Sequence, residues 1–413
     1  MSGEGLLSRR AFVQAAALGA GGLVLAACGT APGTAAPATT VPSEGAEATP
    51  PASTAPTLSP TATPAPTLAP LRQRIARLLI VGFRGLKVGA DDAIARAIND
   101  DGLGGVILFD HDEVVGARNV ASPRQVAQLV GSLRALAPGR ELIVAIDQEG
   151  GKVTRLSQKW GFPAVASEAA IGGKGGASVQ AWAEGIAGTL AGVDINLNFA
   201  PVVDLNVNPT NPAIGALDRA FSADPAVVSR DAEIETTAHR ERSIRTALKH
   251  FPGLGSATAN TDFGVADVTK TWRDVELDPY RDLLGLGLVD VIMAAHVVNG
   301  QIDASAPASL SHKTVTGLLR GELGWEGVVV TDDMGAAAIR QAFGLQDAIG
   351  LALNAGNDLL LFANQHDYDA GLAGKVIDIV EGLVHDGTVA ESRIDEAVGR
   401  VVGLFDGPGA NPG

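Results

Sequence analysis

Past residue 70 the chain repeats one theme, a short apolar run followed by a longer stretch whose apolar positions return every three or four residues. The runs are Leu78 to Phe83, Gly105 to Phe109, Leu142 to Ile146, Ile195 to Phe199, Thr246 to Phe251, Val289 to Ala294, Gly327 to Val330 and Asp358 to Phe362. Continuous apolar runs of this length suit parallel strands covered on both faces, since neither side then meets water. The stretches between them carry helix starts: Ser122-Pro123 ahead of Gln125 to Leu136, Asp224-Pro225 ahead of Ala226 to Arg242, and Ser311 ahead of Lys313 to Leu323. In each, a side-chain oxygen can accept from an orphan N–H of the first turn, and a proline there gives up an N–H that has no partner. Eight strand and helix units in about 340 residues predict an α/β fold, a single (β/α)8 TIM barrel over residues 71–407. The alternative, a doubly wound sheet, needs a Gly-x-Gly-x-x-Gly turn after its first strand, and the residues after Phe83 contain none. A barrel carries its chemistry at the carboxyl ends of its strands.

Before residue 70 the pattern disappears. From Gly29 to Pro70 the chain is mostly Ala, Thr, Pro and Ser with almost no charge, a composition that cannot bury enough surface to offset its ordering entropy. Residues 28–70 are therefore expected to form a semi-extended linker. Ahead of it, Ser8-Arg9-Arg10-Ala11-Phe12-Val13 opens an apolar stretch from Ala15 to Ala27 that ends in Leu25-Ala26-Ala27-Cys28. This resembles a twin-arginine export signal closed by a bacterial lipoprotein box. The resemblance implies a signal peptide over 1–27 and a diacylglycerol on Cys28. The protein would then be exported folded and held on the outer face of the bacterial cytoplasmic membrane or cell surface, touching the membrane only through its N-terminus. The apolar stretch is short, and rich in Ala and Gly, against the roughly 20 apolar residues of a bilayer span.

Composition narrows the partners. The net charge of −15, from 31 basic and 46 acidic side chains, repels a phosphate backbone and argues against nucleic acid. Cys28 is the only cysteine, so the folded part can hold neither a disulfide nor a thiolate metal site, and thiol catalysis is excluded. With 46% hydrophobic residues, 4% aromatic and 51 glycines, the chain reads as a glycine-rich α/β enzyme rather than a disordered or fibrous one.

The polar residues gather at the strand ends: Asp147-Gln148-Glu149-Gly150-Gly151 after the third, Pro201-Val202-Val203-Asp204 after the fourth, Lys249-His250-Phe251-Pro252-Gly253 at the fifth, His296 after the sixth and Thr331-Asp332-Asp333-Met334 after the seventh. A pocket of carboxylates, one Lys-His pair and arginines suits a neutral polyhydroxyl ligand, because ionised acceptors bind sugar hydroxyls strongly. A carbohydrate substrate is therefore expected. Each residue taken singly has a plainer use. A carboxylate after a barrel strand often caps the next helix, and Asp333 is expected to do so; His296 fits equally well as a satisfied histidine at the rim. His111, His239, His312 and His366 are expected at the surface. A metal-dependent hydrolase barrel would need clustered imidazoles after the first strand, where Val81-Gly82-Phe83-Arg84 has none; neither metal nor cofactor is expected.

Asp147-Gln148-Glu149-Gly150-Gly151-Lys152-Val153-Thr154-Arg155, Asn198-Phe199-Ala200-Pro201-Val202-Val203-Asp204 and Lys249-His250-Phe251-Pro252-Gly253 together resemble glycoside hydrolase family 3. Arg219-Ala220-Phe221, Ala295-His296-Val297, Ala308-Ser309-Leu310-Ser311 and Gly327-Val328-Val329-Val330-Thr331-Asp332-Asp333 fit it in the same order, from about residue 72 to 405. In that family the single-domain members are β-N-acetylglucosaminidases, whereas the β-glucosidases take an acid/base from a second domain. About fifty residues follow the last apolar run, enough for two helices ending in Arg393-Ile394-Asp395-Glu396-Ala397, so the single-domain branch is expected. The resemblance implies Asp332 as the nucleophile of a retaining hydrolase. It also implies Asp147, Arg155, Arg219, Lys249, His250 and His296 around the sugar, and Asp204 ordering Lys249 or Arg219 from behind.

One motif departs from the branch. There, the loop after the fifth strand continues Phe-Pro-Gly-His-Gly and then brings an Asp-Ser-His triplet, whose His is the acid/base and whose Asp orients it. Here the loop runs Phe251-Pro252-Gly253-Leu254-Gly255 and then Asn260-Thr261-Asp262, with Asp262 at the His position and Asn260 at the Asp position. Three readings follow. Asp262 is itself the acid/base, with Asn260 donating a hydrogen bond to it and phosphate repelled in favour of water as acceptor. Alternatively another acid such as His111 or His296 serves, or a different sugar is cleaved. In the third, the barrel has lost catalysis and is a cell-surface sugar-binding module. The expected substrates of the active forms are β-linked N-acetylglucosamine ends of peptidoglycan or chitin-like fragments.

Overall fold

Each of the eight apolar runs forms a strand. They are β1 (Leu79–Gly82), β2 (Gly105–Leu108), β3 (Ile143–Ile146), β4 (Leu197–Asn198), β5 (Arg245–Phe251), β6 (Val291–Ala294), β7 (Val328–Thr331) and β8 (Leu360–Phe362). The computed structural model describes residues 69–112, 114–365 and 367–406. The expected signal, Cys28, the linker up to residue 68 and His366 lie outside them. Every strand residue is buried, which is why the runs are continuously apolar rather than alternating. All neighbours are parallel and follow chain order from β1 to β7, while β8 returns to pair with β1 through Leu79↔Leu360 and Val81↔Phe362. A single bridge, Val330↔Leu359, joins β7 to β8 and closes the (β/α)8 barrel. Among the described residues, no helix is long and apolar enough to cross a membrane.

Two strands deviate, both for reasons of side-chain chemistry. β4 shrinks to two residues because Asn196 and Asn198 substitute amides for the ladder. Asn196 accepts from the Val144 N–H at 2.8 Å and donates to the Leu142 carbonyl at 3.0 Å; Asn198 accepts from the Gln148 N–H at 3.0 Å and donates to its carbonyl at 3.1 Å. β5 gains a residue against β6, the register shifting between Ile292 and Ala294. This bulge falls on Lys249-His250 and lets consecutive side chains both reach the pocket.

The helix starts follow the caps. Ser122 Oγ accepts from Gln125 N–H at 3.2 Å at the head of Pro123–Ala135, and Asp224 accepts from Ala226 N–H at 3.0 Å at the head of Pro225–Arg240. Ser311 Oγ accepts from Thr314 N–H at 3.1 Å, although the helix Lys313–Glu322 it precedes is wound wider than an α-helix. His111 and His312 are exposed, as expected. His239 is not: it is fully buried on the inner face of Pro225–Arg240, its Nδ1 2.8 Å from the Glu235 carbonyl and its Nε2 3.1 Å from the Asn198 amide nitrogen. Burial pushes its pKa down to about 4, so the ring sits neutral in the core. The polar residues around it, Glu235-Thr236-Thr237, make this turn read as surface in the sequence.

Candidate active site

Glu149 stands at the centre of a charge ladder on the carboxyl-end face of the barrel. The Arg219 guanidinium grips it in a fork, with Nε and Nη2 at 2.7 and 2.8 Å, and Lys249 Nζ lies 2.6 Å from its Oε1. Lys249 also donates to Asp147 at 2.9 Å, and Arg155 Nη2 lies 3.6 Å from the other oxygen of Asp147. Burial alone would drive Glu149 up, but the Arg219 and Lys249 cations hold its carboxyl well below the usual range. Burial likewise works to lower Lys249, and the carboxylates of Asp147 and Glu149 more than reverse it, so the ammonium is retained although only 1% of the residue is exposed.

Local structure explains why these groups converge. A tight hairpin after β3, with short strands Gln148–Gly150 and Val153–Thr154, folds Arg155 back over Asp147. Gly150 and Gly151 sit at φ +97° and +56°, and a Cβ on either would lie 2.1 Å from the Ala166 carbonyl or 2.4 Å from Ser167. Gln148 closes the hairpin by accepting from the Leu156 N–H at 3.0 Å and donating to its carbonyl at 3.3 Å. The Arg155 guanidinium then lies over the Phe109 ring, 5.2 Å from its centroid.

Asp204 orders His250, not Lys249 or Arg219. Its carboxylate lies 2.6 Å from His250 Nδ1 and accepts from the Leu254 N–H at 2.6 Å. The chain after β4 pairs with β5 through Val202↔Lys249 and the Val203 N–H to Lys249 carbonyl bond, which brings Asp204 opposite the residue after Lys249. His250 Nδ1 thus faces Asp204, and its Nε2 lies 3.3 Å from Arg219 Nη2.

Asp332 follows β7 directly and lines the same cavity, of about 300 Å³. Its carboxylate accepts from the Asp333 N–H at 2.8 Å. Burial acts to raise its pKa, but His296, His250, that N–H and the Lys249 ammonium together bring it below the ordinary carboxylate value. Asp333 does not cap the following helix, Ala337–Arg340, whose N-cap is Ala336. It accepts from the N–H groups of Gly335 at 3.0 Å and Ala363 at 2.8 Å, tying the turn to the end of β8. His296 is a buried histidine with both ring nitrogens bonded, the plainer of the two uses expected of it. Its Nδ1 lies 2.6 Å from Ser309 Oγ and its Nε2 2.8 Å from the Asp333 carbonyl, so both nitrogens are spent on holding the turn that carries Asp332.

The loop after β5 brings Asn260, Thr261, Asp262 and Phe263 to the cavity. Asn260 does not donate to the Asp262 carboxyl; its amide oxygen accepts from the Asp262 backbone N–H at 2.9 Å, shaping the turn. The carbonyls of Asp262 and Thr261 accept from the Ala337 and Ala338 N–H groups at 3.3 and 3.1 Å, which pins this loop to the segment after the β7 turn. The Asp262 side chain opens onto the cavity. The surrounding protein and then the charge of Asp332 raise its pKa, against the opposing pull of Arg219, His250 and His296.

Asp147, Arg155, Arg219, Lys249, His250, Asp262 and Asp332 thus share one cavity, while Asp204 and His296 stand behind it, and His111 is not among its walls. Glu149 was missed as a site residue. The signal was its spacing, two residues on from Asp147 in an extended segment and so on the same side. Among the described residues, no group of three or more His, Cys, Asp or Glu is placed to hold a metal ion.

Residues 70–404 match the glycosyl hydrolase family 3 N-terminal domain. A β-hexosaminidase of Xylella fastidiosa (strain M12) is 36% identical over 351 residues, covering 79% of this chain and 99% of that protein. The fold superimposes with a TM-score of 0.74, at 34% identity over 82% of this chain, on a family 3 β-N-acetylglucosaminidase from Paenibacillus sp. str. FPU-7. The match spans 62% of that longer protein. A β-N-acetylhexosaminidase from Beutenbergia cavernae DSM 12333 gives a TM-score of 0.72 at 32% identity, covering 81% of this chain and 98% of that one.

Proposed function

The chain belongs to glycosyl hydrolase family 3, and on that premise we propose that it is a retaining β-N-acetylglucosaminidase with Asp332 as nucleophile and Asp262 as acid/base. The observation that carries this reading is the pair of carboxyls on one cavity whose proton affinities are pushed apart, Asp332 down and Asp262 up. An ionised Asp332 attacks the anomeric carbon as the bond from that carbon to the leaving oxygen breaks, and the Asp262 proton passes to that oxygen. Water then attacks the same carbon and gives its proton to Asp262 as the bond to Asp332 breaks, with net retention.

Asp147, Arg155, Arg219, Lys249 and His250 hold the sugar hydroxyls. Because Glu149, Asp147 and Asp204 already fix these cations and the imidazole, little reorganisation is left for the moment of reaction. Support for N-acetylglucosamine comes from the named activities of the relatives. The export signature adds peptidoglycan or chitin-like fragments as the natural source, with the protein anchored through a lipidated Cys28. Mass spectrometry of the mature protein is expected to find that lipidated N-terminus; an intact Met1 contradicts the anchor.

The test is release of p-nitrophenol from its β-N-acetylglucosaminide. The expected result is steady hydrolysis by the wild type and none above background by Asp332→Asn with an unchanged circular dichroism spectrum. A folded wild type that binds β-glycosides but turns over none of a broad panel overturns the reading in favour of a sugar-binding module.

A further inference from the structure

We propose that Phe263 is the platform on which the leaving-group ring stacks, making the loop after β5 the determinant of what is accepted beyond the scissile bond; this rests on the assignment of Asp262 as the acid. Phe263 is 76% exposed, whereas every other Phe, Trp and Tyr among the described residues is buried or half-buried. A lone exposed apolar residue needs no explanation in general, but this one borders the cavity and directly follows Asp262. Its ring is displayed on a held turn rather than a free loop tip. The Phe263 N–H donates to the Asn260 carbonyl at 3.1 Å, and the carbonyls of Thr261 and Asp262 are bonded to Ala338 and Ala337.

The direction of the substrate follows from the chemistry of the walls. The charged groups Asp147, Glu149, Lys249 and Arg219 form the hydroxyl-binding end, where the sugar to be transferred must sit. The acid must reach the glycosidic oxygen, so the leaving group lies on the Asp262 side, against the residue that follows it. A pyranose presents a face of C–H groups with slight positive character, and the face of a phenyl ring is negative, so the two pack flat and exclude water. Such a surface reads ring shape rather than hydroxyl pattern. It therefore accepts a second sugar or an aryl group and gives nothing to a leaving group without a ring.

The experiment compares kcat/KM of wild type, Phe263→Ala and Phe263→Trp on a β-1,4-linked N-acetylglucosamine disaccharide and on N-acetylglucosaminyl fluoride, whose leaving group has no ring. Phe263→Ala is expected to lose roughly tenfold on the disaccharide and less than twofold on the fluoride, with Phe263→Trp close to wild type on both. Equal losses on the two substrates would assign Phe263 a structural role, and no loss on the disaccharide would remove it from the site; either overturns the proposal while leaving the glycosidase reading intact. A wild type that cleaves neither substrate overturns both.

Discussion

With Asp262 as the proposed acid/base, a carboxyl stands where the resemblance implies an imidazole, and a specific response to pH follows. Asp332 must be ionised and Asp262 protonated in the first step, so kcat/KM on a disaccharide falls as pH drops through the lowered value of Asp332 and falls again as pH rises through the raised value of Asp262. Asp262→Asn is expected to lose the alkaline limb and about 10²- to 10⁴-fold in kcat/KM on the disaccharide, but little in kcat/KM on the fluoride, whose departure needs no proton, while kcat falls on both because the second step loses its base. An alkaline limb that survives the substitution would place the acid elsewhere. In the second step Asp262 is ionised and repels anions, so products formed in phosphate buffer should be free sugar rather than sugar phosphate, a partition that phosphorus NMR reads directly. Most of these residues were legible because the strand-end motifs carry them: Asp147, Arg155, Arg219, Lys249, His250, Asp262 and Asp332 all meet in one cavity. What the motifs hid was pairing. Asp204 to His250 and His296 to Ser309 are contacts between residues 46 and 13 positions apart, set by register and loop path, and no local pattern announces them.

At the level of elements, the strands and capped helices were readable because each obeys a local rule, continuous apolar runs for buried parallel strands and Ser or Asp before proline for helix starts. The bulge in β5, the amide-for-ladder exchange in β4 and the wide helix at Lys313–Glu322 were not, since each is decided by a neighbour in space. The barrel closes between β7 and β8 through the single bridge Val330↔Leu359, and a buried carboxylate reinforces this seam. Asp358 precedes β8 and is wholly buried. It accepts from Arg320 and Arg393 at 2.7 Å each, from Arg400 at 3.2 Å and from the Val329 N–H of β7 at 3.0 Å. Removing one partner of a buried ion cluster leaves the others uncompensated. Asp358→Ala is therefore expected to lower the unfolding free energy by about 3–5 kcal/mol in urea titration; a loss under about 1 kcal/mol would mean the seam does not depend on it.

Taken whole, the barrel encloses carboxyls that catalysis does not use, and they set its response to pH. Glu168 and Glu235 are buried, and three of their four carboxyl oxygens, Glu168 Oε2 and both of Glu235, have no hydrogen-bond partner. Burial, and for Glu168 then the charge of Glu235, holds both well above the usual 4.5, while burial lifts Glu276 to about 7. A carboxyl whose pKa is raised on folding binds its proton more tightly in the native state, so its contribution is fully present below 4.5 and is lost as pH climbs through the raised values. The contribution of these carboxyls should therefore decline from pH 5 toward pH 8, opposed up to about pH 6.5 by His239, whose lowered pKa favours the native state as pH rises. Glu235→Gln should make the change with pH less negative in denaturant titrations; an unchanged slope would mean Glu235 is already ionised in the native barrel. The central assignment is tested most directly by a 5-fluorinated N-acetylglucosaminyl fluoride, which forms a glycosyl-enzyme faster than water resolves it, followed by peptide mass spectrometry. The predicted result is one sugar on the peptide containing Asp332 and none on Asp332→Asn. A label on another residue, or turnover of N-acetylglucosaminides with no covalent adduct at all, would contradict Asp332 as the nucleophile.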